Sequence, residues 1–382
     1  MAASKRVVLG MSGGVDSSVA AALLMQLGYD VIGATCVFCD GDAADAAVTD
    51  AKGVCDQLGI RHVVQDCRQD FDGCVIQPFI EGYACGLTPI PCVGCNATCK
   101  FPALLQVADK LECRYVSSGH YARICRMPST QRYAVACADD ARKDQSYMLS
   151  MLSQEQLSRI VLPLGALTKD EVRAKAANLG LRVAHRPESQ DVCFIEGDYR
   201  DFLTHHGLQD APGEIVDASG YVLGHHSGLF NYTVGQRKGI GIAAAQPYYV
   251  IGKRIAENQL VVGFEDEAKI SRVIVRNVVW QAIEAPTKPI ACSVKLRYRA
   301  HAIPCTVRPL ASASASAVAD TVDAVSATVA ADPLAIVKLD ISQPTTAPGQ
   351  CAVFFRDGIV LGSATIESIT SAITESANPA EK

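Results

Sequence analysis

The sequence predicts an α/β protein: a doubly wound, mostly parallel sheet first, then a small β-rich middle domain, then a C-terminal barrel or sandwich. Three observations carry this. Strand-like apolar runs alternate with helical patterns between Arg6 and Gln65. From about Gly213 the texture changes to short β-like runs punctuated by glycine. From Ser271 to Ile369 short strands recur at even spacing.

Arg6 to Met11 reads as a strand, Ser17 to Leu27 as a helix, Val31 to Phe38 as a strand, Ala44 to Leu58 as a helix and His62 to Gln65 as a strand. The crossovers of such a βαβαβ pattern imply parallel pairing with helices on both faces and ligands at the carboxyl ends of the strands. Gly28 follows the first helix and suits its C-cap. In the middle portion Glu214 to Asp217, Tyr221 to Leu223, Tyr248 to Gly252 and Gln259 to Gly263 read as strands. The expected domains are 1–205, 206–270 and 271–370, with a tail at 371–382 that is expected to fray. The last domain is interrupted at 311–332 by an Ala/Ser/Val/Asp-rich stretch without a basic or aromatic residue, expected to be an inserted loop.

A chain of 382 residues that is 49% hydrophobic can bury more than one core. No run reaches the roughly 18 uninterrupted apolar residues of a membrane span. Met1 to Arg6 leads into a buried-looking strand rather than a signal peptide, so a soluble, cytoplasmic protein without a membrane partner is expected. Sixteen cysteines scattered through so long a chain are expected to be mostly reduced core residues, not a disulfide framework. The net charge of -5 argues against a surface coated for nucleic acid. It hides a local excess, however: Ser271 to Leu310 holds seven basic residues against one acid, Glu284, a net of +6. Any nucleic-acid surface should include that region.

The first strand runs into Gly10-Met11-Ser12-Gly13-Gly14-Val15-Asp16-Ser17-Ser18, and a helix follows at once. Adjacent glycines let backbone approach a phosphate, the serine hydroxyls can donate to its oxygens, and the helix N-terminus favours negative charge. Asp16 is placed to help hold Mg²⁺. The lysine of a Walker A loop is missing. The loop resembles the S-G-G-x-D-S signature of the PP-loop ATP pyrophosphatases, which cleave ATP to AMP and pyrophosphate. A plain glycine-rich strand-to-helix turn is the bland alternative.

Thr88 to Phe101 reads T-P-I-P-C-V-G-C-N-A-T-C-K-F, with Cys92, Cys95 and Cys99 in a loop stiffened by prolines. Cys193 lies in a second polar segment, Glu188 to Phe194. Spacing alone leaves a zinc half-site, a redox pair and coincidence open. The same C-x-x-C spacing at Cys36 and Cys39 falls on an apolar strand, where packing is the simpler reading.

The pattern T-P-x-P-C-x-x-C-N-x-x-x-K-F is joined in order by Ser118-Gly119-His120-Tyr121-Ala122-Arg123, by Lys143 to Tyr147 (K-D-Q-S-Y), by Ser189 to Phe194 (S-Q-D-V-C-F) and by Tyr232 to Gly239 (Y-T-V-G-Q-R-K-G). This ordered set resembles the bacterial tRNA-specific 2-thiouridylases, over nearly the whole chain apart from the insertion. The resemblance implies a sheet of PP-loop, adenine nucleotide alpha hydrolase-like type and a C-terminal β-barrel. It implies ATP-dependent adenylation of the C2 oxygen of the wobble uridine and its replacement by sulfur. Cys95 would be the nucleophile and Cys193 the persulfide carrier, with a transient disulfide between them that a reductant resets. The remaining thirteen cysteines besides Cys92, Cys95 and Cys193 are assigned mostly to packing.

The resemblance further implies that Gly10 to Ser17, Cys36 and Gly119 line the ATP site, with Mg²⁺ at Asp16. It assigns His120, Lys143, Asp144, Gln145, Arg297, Tyr298 and Gln350 to tRNA, with the tRNAs for Lys, Glu and Gln as substrates and a persulfide-donating relay protein as partner. Well-known members carry Asp where this chain has Cys92. Cys92, Cys95 and Cys193 could therefore instead be thiolate ligands of a [4Fe-4S] cluster. Two rival functions remain open on the sequence: a small-molecule amidating or ligating enzyme with the same loop, and a non-catalytic iron-sulfur or RNA-binding module.

Overall fold

The computed structural model describes residues 5–181, 192–310 and 334–371. The 311–332 insertion, the 371–382 tail beyond Ser371 and Glu188 to Asp191 lie outside the described residues. The early strands are β1 (Arg6–Gly10), β2 (Asp30–Val37), β3 (Arg61–Asp66), β4 (Tyr115–Ser117), a hairpin β5 (Arg123–Arg126) and β6 (Tyr133–Ala136), and β7 (Ile160–Val161). Five of them form a sheet of order β3-β2-β1-β4-β7, parallel at every pairing. Val7, Val8 and Leu9 are fully buried, as expected of a central strand covered on both faces.

Helix α1 (Val15–Gln26) buries Val19, Ala20, Ala21 and Leu24, where small residues let it lie close to the sheet. Gly28, just past its Leu27 cap, takes the left-handed conformation that stops it, with φ of 78°. Helix α2 (Asp42–Leu58) turns Ala51, Val54 and Cys55 inward at helical spacing. The chain order runs outward from β1 through β2 to β3, then returns to the other side of β1 as β4. That reversal makes the β1/β4 boundary the switch point, where the loops after the two strands diverge to opposite faces and leave a crevice.

The middle sheet has order β10-β11-β8-β9, from β8 (Gly213–Val216), β9 (Val222–His226), β10 (Tyr249–Arg254) and β11 (Gln259–Gly263). All four runs expected there from sequence are strands. The last sheet contains β12 (Lys269–Trp280), β13 (Ile290–Lys295), β14 (Ile303–Pro309), β15 (Ala335–Pro344), β16 (Cys351–Arg356) and β17 (Ile359–Ser371). Because β12 pairs with both β15 and β17, these six strands close into an antiparallel barrel. Its interior is filled by alternating residues such as Val273, Val275, Val307, Val337, Phe354 and Ile366.

The barrel is fastened to the first sheet's domain. Hairpin β5–β6 extends the barrel sheet through β17, pairing Ala136 with Ile359. The fully buried Gln281 donates to the carbonyls of Leu149, Ser150 and Leu152 at 3.0 to 3.2 Å and accepts from the Val135 amide at 3.2 Å. A buried carboxamide with its donors and acceptor satisfied is a directional tie that apolar contact alone would not supply.

Candidate active site

The phosphate loop follows β1 directly. Gly13 has φ of 68°, and a Cβ there would stand 2.7 Å from that of Asp50, so both conformation and space demand glycine. The Ser17 hydroxyl donates to the Gly14 carbonyl at 3.1 Å and accepts the Ser12 amide at 3.3 Å, folding the loop back over the start of α1. No side chain caps α1, which leaves its first amides to an anion. Met11 turns its side chain into the core, so only its backbone faces the loop.

The loop after β4 presses against this turn. A Cβ on Gly119 would lie 2.9 Å from the Ser17 nitrogen and 3.0 Å from the Asp16 carbonyl carbon. Two residues on, the Tyr121 hydroxyl donates to Asp16 Oδ1 at 2.7 Å. Lys169, the first residue of the helix Lys169–Asn178, reaches the same carboxylate with Nζ 2.7 Å from Oδ1 and 2.9 Å from Oδ2. The lysine absent from the loop's own sequence is thus supplied from 153 residues away, with only 7% of its side chain exposed. Its helix is held by a capping box in which Thr168 and Glu171 satisfy each other's backbone.

The cysteine segment lies beside this crevice. Pro91–Cys95 forms a short α-helical turn, Asn96–Lys100 a π-helical turn, and Phe101–Lys110 an α-helix. The buried Asn96 anchors the segment by donating to the Met148 carbonyl at 3.0 Å. Cys95 packs with Cys99, Phe71 and Val75, and Phe194 closes the same cluster. Cys193, adjacent to Phe194, is exposed, yet lost solvation on its protein side, then the charges of Cys95 and Cys92 among others, push its thiol up to about 11. Cys95 is shifted the other way: the neighbouring Cys99 thiol lowers it most, and Lys100 lowers it further against the cost of burial. An acidified thiol suits a nucleophile, whereas the raised Cys193 thiol has to lose its proton before it can take up sulfur. Cys36, at the carboxyl end of β2, has its thiol pushed up by the neighbouring Cys67 and by burial.

Three domain profiles match in succession: a tRNA methyl transferase HUP domain over residues 5–197, a tRNA methyl transferase PRC-barrel domain over 200–264, and an aminomethyltransferase beta-barrel domain over 316–366. The tRNA-specific 2-thiouridylase MnmA of a Synechococcus strain is 42% identical over 370 residues, covering 96% of this chain and 98% of that protein. This chain belongs to the tRNA-specific 2-thiouridylase family. The MnmA of Heliobacterium modesticaldum is also 42% identical, over 94% of this chain and 92% of its own. Among solved structures, a U34-tRNA thiolase NcsA of Methanococcus maripaludis with its [4Fe-4S] cluster aligns at 18% identity over 53% of this chain and 63% of its own, with a TM-score of 0.33. That likeness is too slight to bear on cluster chemistry here.

Within this 2-thiouridylase family member, the residues assigned to tRNA fall into two groups. His120 stands in the crevice beside Gly119, stacked on Phe101 at 6.0 Å, with Nδ1 2.7 Å from the Ser118 hydroxyl. Loss of solvent around the ring, helped by Lys100, holds it down at about 3, so at neutral pH it is an uncharged hydrogen-bonding group, not a phosphate-binding cation. Tyr298 lies 5.9 Å from Tyr147, near Cys92 and Asp144. Lys143 is partly exposed on the Asp140 turn.

The second group is engaged in holding the site together. Asp144 is buried, accepting from the Ala138 and Ser146 amides and the Ser146 hydroxyl. Gln145 accepts from the Tyr121 amide at 2.9 Å. Gln350 donates to the Thr88 carbonyl at 2.7 Å, docking the barrel turn on the cysteine segment. Arg297 donates to the Thr345 carbonyl. Asp144 and Gln350 thus each have a side-chain atom engaged within the protein.

Sequence reasoning missed Lys169, Tyr121 and Lys100 as site residues. Lys100 lies within electrostatic reach of Cys36, Cys92, Cys95, Cys193 and His120. As for metals, no three His, Cys, Asp or Glu side chains among the described residues are arranged to hold an ion. Cys92, Cys95 and Cys193 form no such group as placed here. For Mg²⁺, Asp16 offers one carboxylate, which suits an ion completed by polyphosphate oxygens and not an all-protein cage.

Proposed function

We propose that this chain is a tRNA 2-thiouridylase that adenylates the C2 oxygen of the wobble uridine, position 34, and replaces it with sulfur. The observation that carries this reading is that the Gly10 to Ser17 loop, at the carboxyl end of β1, and the Cys95 segment lie at the same end of the parallel sheet, with Cys193 in electrostatic reach of Cys95. ATP binds with its phosphates at the loop and the start of α1. Lys169 and Asp16 hold the polyphosphate end, where Mg²⁺, when bound, neutralises phosphate oxygens. The uridine, flipped from the anticodon loop, presents its C2 oxygen to the α-phosphorus, and pyrophosphate leaves. His120, neutral and fixed by Ser118, suits a base edge in the crevice, and the +6 stretch of the barrel suits the tRNA backbone.

Cys193 carries the incoming sulfur as a persulfide supplied by a donor protein. The terminal sulfur attacks C2 and AMP leaves, giving a disulfide between C2 sulfur and Cys193. The Cys95 thiolate then attacks Cys193 Sγ, the C2 sulfur departs as the thiocarbonyl, and a Cys95–Cys193 disulfide remains for an external thiol to reduce. The tRNAs for Lys, Glu and Gln are the expected substrates and the cytoplasm the expected compartment. Among the described residues no helix is long and apolar enough to cross a membrane.

Incubation with ATP, with and without substrate tRNA, tests the activation half. AMP and pyrophosphate should accumulate only when tRNA is present. Release of ADP would contradict the adenylation, and tRNA-independent pyrophosphate exchange would favour a small-molecule ligase.

A further inference from the structure

We propose that Arg237 and Lys238, at the tip of a middle-domain loop, bind backbone phosphates of the substrate tRNA and extend the basic stretch of the barrel. The proposal rests on the reading of the chain as a tRNA 2-thiouridylase. The ATP and sulfur chemistry leaves the two cations of the Tyr232 to Gly239 run unused. That loop lies between β9 and β10 and is closed on itself. Gln236 Oε1 accepts the Thr233 amide at 3.0 Å, and its Nε2 donates to the Lys238 carbonyl at 2.9 Å. The Gln236 amide donates to the Thr233 carbonyl at 2.9 Å, while Gly235 and Gln236 both bond the backbone of Val250 in β10. Tyr232, Val234 and Ile240 anchor the loop in the middle-domain core. A loop fixed in this way has little backbone freedom left to lose on binding. Arg237 and Lys238 are exposed at its tip, and neither forms an ion pair with a carboxylate among the described residues.

Charge argues for the occupant. Between Ala218 and Ala256 the sequence has no acidic residue, against Arg237, Lys238, Lys253 and Arg254, a net of +4. In a chain with 40 acids and 35 cations, that is a local departure. Lys253 Nζ is buried and Arg254 donates to Gln259 at 3.3 Å, so Arg237 and Lys238 are the pair that faces an outside anion. The loop also touches the barrel. A Cβ on Gly235 would stand 2.7 Å from Arg297 Nη2 and 3.3 Å from the Thr345 carbonyl oxygen. Arg297 and Arg299 are both exposed, and Tyr298 between them lies 5.9 Å from Tyr147, at the side of the crevice. The two basic segments therefore make one rim that runs from the crevice to the tip of the middle-domain loop. A phosphate backbone, charged at every nucleotide, is the ligand that such a row of cations fits.

The test is binding of an unmodified transcript of the tRNA for Glu to the full chain, read by fluorescence anisotropy across a salt series. Wild type is compared with Arg237→Ala/Lys238→Ala. The control is Lys110→Ala/Arg114→Ala, which removes the same charge from exposed positions at the amino end of β4, away from the crevice. At about 0.15 M salt the loop variant should bind about tenfold more weakly, with the slope of log K against log salt reduced by about 2. The control should change neither. Arg237→Gln/Lys238→Gln, which keeps polar side chains of similar length, should match the alanine pair. The loss should be equal for a transcript with cytidine at position 34, because phosphate contacts carry no sequence information. Wild-type affinity in the loop variants, a loss no greater than the control's, or a loss confined to the uridine transcript would overturn the proposal. Wild type that bound neither transcript would overturn the thiouridylase reading along with it.

Discussion

Cys95→Ser should abolish formation of 2-thiouridine, by at least about a thousandfold, while leaving tRNA-dependent release of pyrophosphate in place. Serine is nearly isosteric, so the pocket of Phe71, Val75 and Cys99 should persist. What it removes is the ability to take up Cys193 sulfur in a disulfide, because an alkoxide is neither accessible at neutral pH nor a competent thiol-exchange nucleophile. A single-turnover assay with persulfide-loaded protein separates the two halves. Modified nucleoside should be absent, and the adenylated tRNA or its hydrolysis products should build up. Full thiolation by Cys95→Ser would mean that the sulfur of Cys193 is released by another route.

Lys169→Met should have the second largest effect, on the activation half alone. Removing one preorganised cation from a site that stabilises developing phosphate charge costs on the order of 10²–10³ in rate. Methionine keeps the apolar stem but leaves Asp16 with only the Tyr121 hydroxyl, so a stability loss of about 2 kcal/mol should accompany it. That is less than for a fully enclosed pair, because the Asp16 side chain retains 31% exposure. Pyrophosphate release should fall, and the rate of Cys95 alkylation should be unchanged. If AMP formation survived Lys169→Met while stability fell, the lysine would be only a structural partner of Asp16.

The strands and helices of the first half were legible because each buries a run or a stripe with its own period, as in Val7 to Leu9 and in Ala51, Val54 and Cys55. The phosphate loop was legible because its glycines are dictated locally, by φ at Gly13 and by close approach at Gly119. Lys169 was not, because nothing near it in sequence announces Asp16. A signal existed nonetheless. A lysine at the first position of a helix opposes the helix dipole, and the mismatch is resolved only by a carboxylate brought from elsewhere. The internal bonds of Asp144 and Gln350 were hidden as well, because the Ala138 amide and the Thr88 carbonyl that meet them are brought there only by the fold. Hairpin β5–β6 was hidden too, since a strand pairing with residues more than 200 positions later leaves no local trace of its partner.

The central claim is that sulfur passes through Cys193 and Cys95 without an iron-sulfur cluster, and it is tested most directly by thiolation with rigorously metal-chelated protein. The protein is resupplied with Mg²⁺ and given ATP, substrate tRNA and a persulfide donor, beside Cys92→Ser under the same conditions. The tRNA nucleosides are read by mass spectrometry. The account predicts 2-thiouridine from both proteins, with Cys92→Ser retaining much of the activity. No product from either, with full recovery of the wild type alone after anaerobic reconstitution with iron and sulfide, would contradict it.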